Sequence, residues 1–142
     1  MLRAIRPLMI AKTVEDLHLY QRARELVVAV TAILERPAFQ RELDLRDQIR
    51  RAADSVVSNI AEGFAQPTDR AFAGYLFHAK GSNAEVRARL RLACDRRCLT
   101  DAEVAECDRL ADQVAAMTTG LVKHLVRSNR RNRGLGASQS KR

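Results

Sequence analysis

The fold is decided by one stretch, SVVSNIAEGFAQPT (residues 55–68), because it contains a helix end followed by a turn. Apolar residues before it recur at helical spacing, and Gly63 stands where a helix often ends in the left-handed conformation. Pro67 follows shortly, as is typical after a finished helix. We therefore predict that one helix ends near Gly63 and that Thr68 or Asp69 caps the next.

The polar residues of this stretch raise an alternative, an active site. Ser55, Asn59 and Glu62 share one helix face at positions i, i+4 and i+7. A hydrolase needs a nucleophile, a base and an oxyanion hole, but no histidine is close in sequence and no glycine-rich turn surrounds Ser55 or Ser58. We expect Asn59 and Glu62 to bond to backbone groups or to a neighbouring helix. The chain is accordingly expected not to be an enzyme and to have no catalytic residue.

The same periodicity extends to helices on both sides of this stretch. A capping-box-like start at Thr13 and Asp16 opens the first helix, and Thr100 with Glu103 opens the last. The predicted helices cover residues 13–36, 44–64, 68–97 and 100–128. With short connections and no alternating strand pattern, they predict an all-α fold, an antiparallel up-down-up-down four-helix bundle.

The first predicted helix is unusually apolar over residues 26–34, where only Thr31 is polar. A surface helix in a monomer needs one apolar stripe rather than an apolar surface all round. We therefore expect this helix to be buried on two sides, by its own bundle and by a second subunit.

Charge divides the 142-residue chain, whose net charge is +8, into three parts. Residues 1–12 form a basic N-terminal extension of +3, and residues 127–142 form a basic tail of +6, which leaves the bundle at 13–126 with −1. The tail is expected to lack regular structure until it is bound. Basic ends on a nearly neutral body indicate a polyanionic partner, with a solubilising tail as the alternative.

The candidate nucleic-acid surface combines the basic residues of the third helix with those near the C-terminus. Only 4% of the residues are aromatic, so recognition by charge and shape is expected rather than base stacking. A solvated helix face is the alternative. The candidate residues are Lys80, Arg87, Arg89, Arg91, Arg96, Arg97, Lys123, Arg127, Arg130, Arg131 and Arg133.

No metal site and no cofactor are expected. Cys94 and Cys98 share a helix face, but no histidine lies nearby at ligand spacing, so packed thiols are favoured. No apolar run reaches the roughly 18 residues of a membrane span, and the N-terminus does not resemble a secretory signal. A reducing cytoplasm is therefore the expected location.

Three segments of the chain resemble a bacterial four-helix bundle family: VEDLHLYQRARELV (14–27), QIRRAADSVVSNIAEGF (48–64) and FAGYLFHAKGSNAEVRARL (72–90). Its founding members are encoded within intervening sequences of large-subunit ribosomal RNA genes. The family is also similar to accessory variability proteins of diversity-generating retroelements. The resemblance spans about residues 14–126, and its most specific positions are Asn59, Glu62, Gly63, Gly81 and Ser82.

This resemblance implies a ring-like homo-oligomer, typically a homopentamer with a basic lumen, and no catalytic residue. Retroelement relatives bring a reverse transcriptase together with RNA or DNA. The chain departs from the family at Val57, where proline is common, and at Arg87 and Arg89, where Glu and Gln are common. Those departures make the third helix more basic.

The resulting hypothesis is a non-enzymatic oligomer that binds RNA or DNA through its basic surface and tail. It would serve as an intervening-sequence-type or retroelement accessory protein. The alternatives are an adaptor that docks a reverse transcriptase and a purely structural oligomer.

Overall fold

The computed structural model describes residues 11–139, and the side chains as far as residue 134. Four α-helices make up most of this part of the chain, and it contains no strand, which confirms the all-α prediction. Short 3-10 turns at Val14–Asp16 and Pro37–Arg41 precede the first and second helices. The helices are α1 (His18–Leu34), α2 (Leu43–Phe64), α3 (Asp69–Asp95) and α4 (Asp101–Gln139).

The helices form an antiparallel bundle in which each packs on two neighbours. α1 contacts α2 and α4, and α3 contacts the same two helices from the other side. Arg36, just after α1, bonds to Glu103 at the start of α4 (2.6 Å), so α1 ends where α4 begins. Arg96, just after α3, bonds to Glu42 at the start of α2 (3.1 Å), which places the end of α3 at the same end of the bundle.

The core is built from one apolar stripe on each helix, with residues three and four apart facing inwards. Aliphatic side chains dominate it, as the small number of aromatic residues requires. The largest fully buried side chains are Leu26, Val30, Phe39, Leu45, Ile49, Val56, Ile60, Leu76, Val86, Leu90, Val104 and Leu125.

Within a single chain, α1 buries one stripe rather than two faces. Leu19, Ala23, Leu26, Val30 and Leu34 point into the core. Val28, on the outer face, has 70% of its surface exposed. The expected burial on a second side would therefore need a partner outside this chain.

Gly63 lies within the last turn of α2 and does not end the helix in the way expected. No described glycine has a positive φ, and α2 continues through this residue to Phe64, so the prediction of a left-handed conformation is wrong. A Cβ atom at Gly63 would lie 2.8 Å from Cδ2 of Phe72 and 2.8 Å from Cβ of Tyr75. Gly63 is therefore required by the close approach of α3. Thr68 then caps α3, its Oγ1 accepting a hydrogen bond from the Ala71 amide (3.1 Å).

α4 continues well beyond the bundle region expected from sequence. The basic segment from residue 127, expected to be irregular, is helical as far as Gln139, and residues 140–142 lie outside the described part. A helix already fixed by packing propagates without a new nucleation step, and arginine is among the better helix formers. Of the predicted N-terminal extension, only Ala11 and Lys12 are described.

Candidate nucleic-acid interface

The polar cluster of α2 forms a contact between helices. The hydroxyls of Ser55 and Ser82 lie 2.9 Å apart and join α2 to α3. The Asn59 side-chain amide donates to the Ser55 carbonyl (2.8 Å) and to the Ser55 hydroxyl (3.0 Å). Glu62 is exposed, and its carboxylate makes none of the hydrogen bonds or ion pairs of the described residues, unlike the expectation. The Ser55 hydroxyl is therefore bonded to the Ser82 hydroxyl and to the Asn59 amide, and no histidine or carboxylate among the described residues bonds to either serine hydroxyl.

The three cysteines are poor nucleophiles in this fold. Desolvation by burial raises the pKa of the Cys94, Cys98 and Cys107 thiols, and that of Cys107 reaches about 11. With raised pKa values, these thiols stay protonated at neutral pH. They are therefore poor nucleophiles and poor metal ligands, because the thiolate is the reactive and metal-binding form. Across the described residues, no three His, Cys, Asp or Glu side chains come together as metal ligands would. None of the four helices, over the same residues, has both the length and the apolar character needed to cross a bilayer.

Four of the candidate arginines on α3 and just after it are neutralised by carboxylates of the same chain. The partners come from α4, from α3 itself and from the residue that precedes α2. The pairs are Arg87 with Asp112 (2.7 Å), Arg89 with Glu85 (2.8 Å), Arg91 with Asp101 (2.8 Å) and Asp108 (3.6 Å), and Arg96 with Glu42 (3.1 Å). We call Arg91, Arg96 and their acidic partners the ion-paired end of the bundle.

The two other candidates in this region are exposed and lie apart from each other. Lys80 is on the outer surface of α3, about halfway along the helix. Arg97 lies in the turn between α3 and α4 with φ of 61°, the left-handed region, and its amide bonds to the Cys94 carbonyl (3.0 Å). Arg97 therefore closes α3 with its backbone, while its side chain points to solvent.

The remaining candidates form a basic surface at the opposite end, on the last part of α4. We call Lys123, Arg127, Arg130, Arg131 and Arg133 the arginine arm; all five side chains are exposed. No acidic residue follows Asp112 in the sequence. Arg130, Arg131 and Arg133 make no ion pair with any described residue. Lys123, Arg127 and Arg130 share one face of the helix because they are spaced at i, i+4 and i+7.

A groove runs between the arginine arm and the start of α3. Apolar side chains from both helices line it, among them Phe77, which is 59% exposed, and Val126, which is 38% exposed. Cations from both helices line it as well. The lining residues are Asp69, Arg70, Ala73, Gly74, Phe77, Leu125, Val126, Asn129, Arg130 and Arg133.

Of the ten residues that line the groove, only Arg130 and Arg133 belong to the surface predicted from sequence, and Arg70 and Phe77 are among those absent from it. Arg70, Gly74 and Phe77 share a face of α3, at i, i+4 and i+7, and this face lies outside the apolar stripe that contains Phe72 and Leu76. The sequence signal for this groove was an aromatic residue on the polar side of a helix, on the same face as an arginine. It was missed because the chain as a whole has so few aromatic residues.

Comparison with known proteins places this bundle in a family. Residues 15–120 match the family model described as 23S rRNA-intervening sequence protein. The match covers about three quarters of the chain and ends before the arginine arm. A comparison with curated proteins found no relative. The chain belongs to the 23S rRNA-intervening sequence protein family.

Proposed function

We propose that this protein binds RNA through the arginine arm and catalyses no reaction. The observation that carries the proposal is the state of the arginines: Arg130, Arg131 and Arg133 are exposed and have no acidic partner among the described residues. Cations in this state can neutralise phosphates and release the counterions condensed around a nucleic acid. The family is named for an intervening sequence of 23S rRNA, and RNA is the polyanion that we take for the test.

The arginines of α3 are weaker candidates for phosphate contacts. Arg87 and Arg91 already lie 2.7 and 2.8 Å from the carboxylates of Asp112 and Asp101. A phosphate would have to displace these carboxylates and would be repelled by them at the same time. The third helix is therefore secondary in this proposal, although the sequence analysis placed its arginines and those near the C-terminus in one candidate surface.

Salt-dependent binding tests this assignment. We would measure the affinity of a labelled single-stranded RNA by fluorescence anisotropy at several salt concentrations. The test variant is Arg130→Gln with Arg131→Gln, and the matched control is Arg87→Gln with Arg91→Gln, which removes the same charge. Each lost single-strand phosphate contact lowers the slope of log affinity against log salt by about 0.7, so the test variant should lose about 1.4 and the control much less. An equal or larger loss in the control would place the surface on α3.

The proposal includes self-association through the outer face of α1. Val28 is 70% exposed there, and Ala32, one turn further on, is exposed too. The family resemblance supports a ring of five subunits with a basic lumen, in which several arginine arms would act on one RNA. Val28→Glu should shift the protein to monomers in sedimentation velocity, whereas Leu43→Glu, at another exposed aliphatic residue (45%), should leave the assembly unchanged. The opposite pattern would move the interface away from α1.

The same α1 face favours a second candidate function, a purely structural oligomer that binds no RNA. Assembly without salt-dependent RNA binding would support it. In the retroelement form of our proposal, the arginine arm also docks a reverse transcriptase. Association with such an enzyme that survives nuclease treatment would favour this adaptor role over RNA binding alone.

A further inference from the structure

We infer that the groove beside the arginine arm holds an unpaired base of single-stranded RNA, stacked on Phe77. This inference rests on the proposed function and specifies the form of RNA that the same site takes. It is based on an exposed aromatic ring, that of Phe77, which lines the groove together with arginines of both α3 and α4.

Phe77 differs from the other aromatic residues of the described chain. Phe39 and Phe72 are buried, whereas Phe64, Tyr20 and Tyr75 are half-buried. Phe64 and Phe72 contact each other edge to face, with ring centroids 6.1 Å apart, and Arg24 lies 6.0 Å from the centre of the Tyr20 ring. Phe77 is 59% exposed and has no such contact. Its ring is therefore available to a flat partner from outside the chain.

The charges around the ring match a nucleotide rather than an uncharged apolar ligand. Arg70 lies on one side of the groove, and Arg130 and Arg133 lie on the other. Asp69 is the one acidic residue among the lining side chains. Arg130 and Arg133 are three residues apart, so they rise about 4.5 Å along the helix and can contact successive parts of a phosphate backbone. Cations that follow the backbone and an aromatic platform for a base are the usual parts of a single-strand site.

The groove also has room for a ring. Gly74 lies between Arg70 and Phe77 on the same face of α3, and a Cβ atom added to it would meet nothing within 4 Å. A base can therefore approach the helix backbone closely at this point. A duplex keeps its bases stacked inside, so the site should distinguish an unpaired strand from a duplex of the same sequence.

The test compares binding of a labelled 12-nucleotide single strand with binding of its blunt duplex, by anisotropy at one moderate salt concentration. Phe77→Leu keeps an apolar side chain but removes the ring, and Phe77→Trp restores a ring. Phe77→Leu should weaken single-strand binding by about 5- to 150-fold, the range for loss of one stacked base, and leave duplex binding unchanged. Phe77→Trp should bind the single strand as tightly as the original protein.

A second pair of variants probes the groove without touching Phe77. Gly74→Leu fills the groove and should weaken single-strand binding at least fivefold. Gly81→Leu, seven residues further along α3 and equally open, is the matched control and should bind normally. Thermal unfolding of each variant checks that the bundle is intact, as expected for substitutions at exposed positions.

The outcomes separate this inference from the function on which it rests. If Phe77→Leu or Gly74→Leu binds the single strand as tightly as its control, or if duplex binding falls equally, the stacking site is overturned while RNA binding by the arm stands. If the unmodified protein binds neither RNA at low salt, the proposed function fails and the stacking site fails with it.

Discussion

Where α3 ends and α4 begins, Arg91 and Arg96 lie 2.8 and 3.1 Å from carboxylates, but where α3 begins and α4 ends, Arg130 and Arg133 have no acidic partner among the described residues. The ion-paired end uses arginine to hold helices together. The opposite end leaves arginine exposed around a groove. Counting cations along the sequence therefore does not locate a polyanion surface, because a neighbouring carboxylate cancels much of the attraction for phosphate.

The two ends also differ in how α3 is held against its neighbours. At the ion-paired end, charged side chains link α3 to α2 and α4, and such exposed pairs contribute about 0–1 kcal/mol each. At the groove end, α3 approaches α2 so closely that Phe72 and Tyr75 occupy the space beside Gly63. At the groove end, the contact between α2 and α3 is therefore one of close packing, and Arg130 and Arg133 of α4 take part in no ion pair with a described residue.

The largest effect is expected at this close contact. Gly63→Ala forces a Cβ atom to within 2.8 Å of Phe72 and Tyr75, so the free energy of unfolding should fall by about 1–3 kcal/mol. The matched control is Gly74→Ala, which meets no atom and improves helix propensity, so it should raise that free energy by about 0.5–1 kcal/mol. Urea unfolding followed by circular dichroism measures both. Equal stability of the two variants would contradict the packing difference between the ends.

A smaller effect is expected from an attempt to make α3 behave like the arginine arm. Asp112→Asn removes the carboxylate 2.7 Å from Arg87 and leaves that arginine available to phosphate. The salt slope of single-strand RNA binding should become steeper by up to about 0.7, one added contact. The free energy of unfolding should change by less than about 1 kcal/mol, because the Arg87 and Asp112 side chains are 40% and 65% exposed.

The control for this variant is Asp54→Asn, which changes the net charge equally at an exposed acid of α2 that makes no ion pair with a described residue. If the control steepens the slope as much as Asp112→Asn does, the gain comes from overall charge. Whether an arginine has a carboxylate partner would then not determine its contribution to RNA binding.

The smallest effect is expected in the reactivity of Cys94, which reports on charge at the ion-paired end. Burial raises the pKa of this thiol most, Arg91 lowers it, and Asp101, Asp108 and Asp95 raise it further. Arg91→Gln removes the lowering cation, so the pKa should rise, the thiolate fraction at pH 8 should fall, and alkylation by iodoacetamide should slow. The change should be small, because burial, which the substitution leaves in place, is the largest cause of the raised pKa of Cys94.

Mass spectrometry of the modified peptide measures this rate, and Arg130→Gln at the other end is the control. Cys107, with its pKa raised to about 11 by burial, should remain the slowest thiol in every variant. Faster alkylation of Cys94 in Arg91→Gln would mean that the ion pairs do not control the charge at this end.

The helices could be read from the sequence because their signals are local. Apolar spacing gave the core stripes, and the box of Thr100 and Glu103 is present, with the Glu103 amide donating to the Thr100 hydroxyl (3.2 Å). The left-handed end at Gly63 was a wrong prediction because the need for glycine comes from α3, a helix that follows it in the sequence. The family, read from the order and spacing of three segments, is confirmed by the match over residues 15–120.

The candidate site could be predicted only in part from the sequence. Tertiary structure decides which arginines pair with carboxylates and which residues line the groove. Arg91 and Asp101 are 10 residues apart, and Arg96 and Glu42 are 54 apart, so no local pattern predicts which arginines are neutralised. Phe77 and Arg130 belong to different helices and come together only at the groove. The site depends on where the start of α3 meets the later part of α4, and the sequence pattern of either helix alone does not contain that information.

The helical state of α4 beyond Val126 has a thermodynamic consequence. Ordering a flexible segment costs about 1–2 kcal/mol of backbone entropy per residue, and a disordered tail of this length would lose that freedom whenever it bound RNA. Because residues 127–139 are already helical, most of that loss is incurred on folding rather than on binding. Calorimetric titration of RNA should therefore lack the large heat-capacity change that accompanies folding coupled to binding.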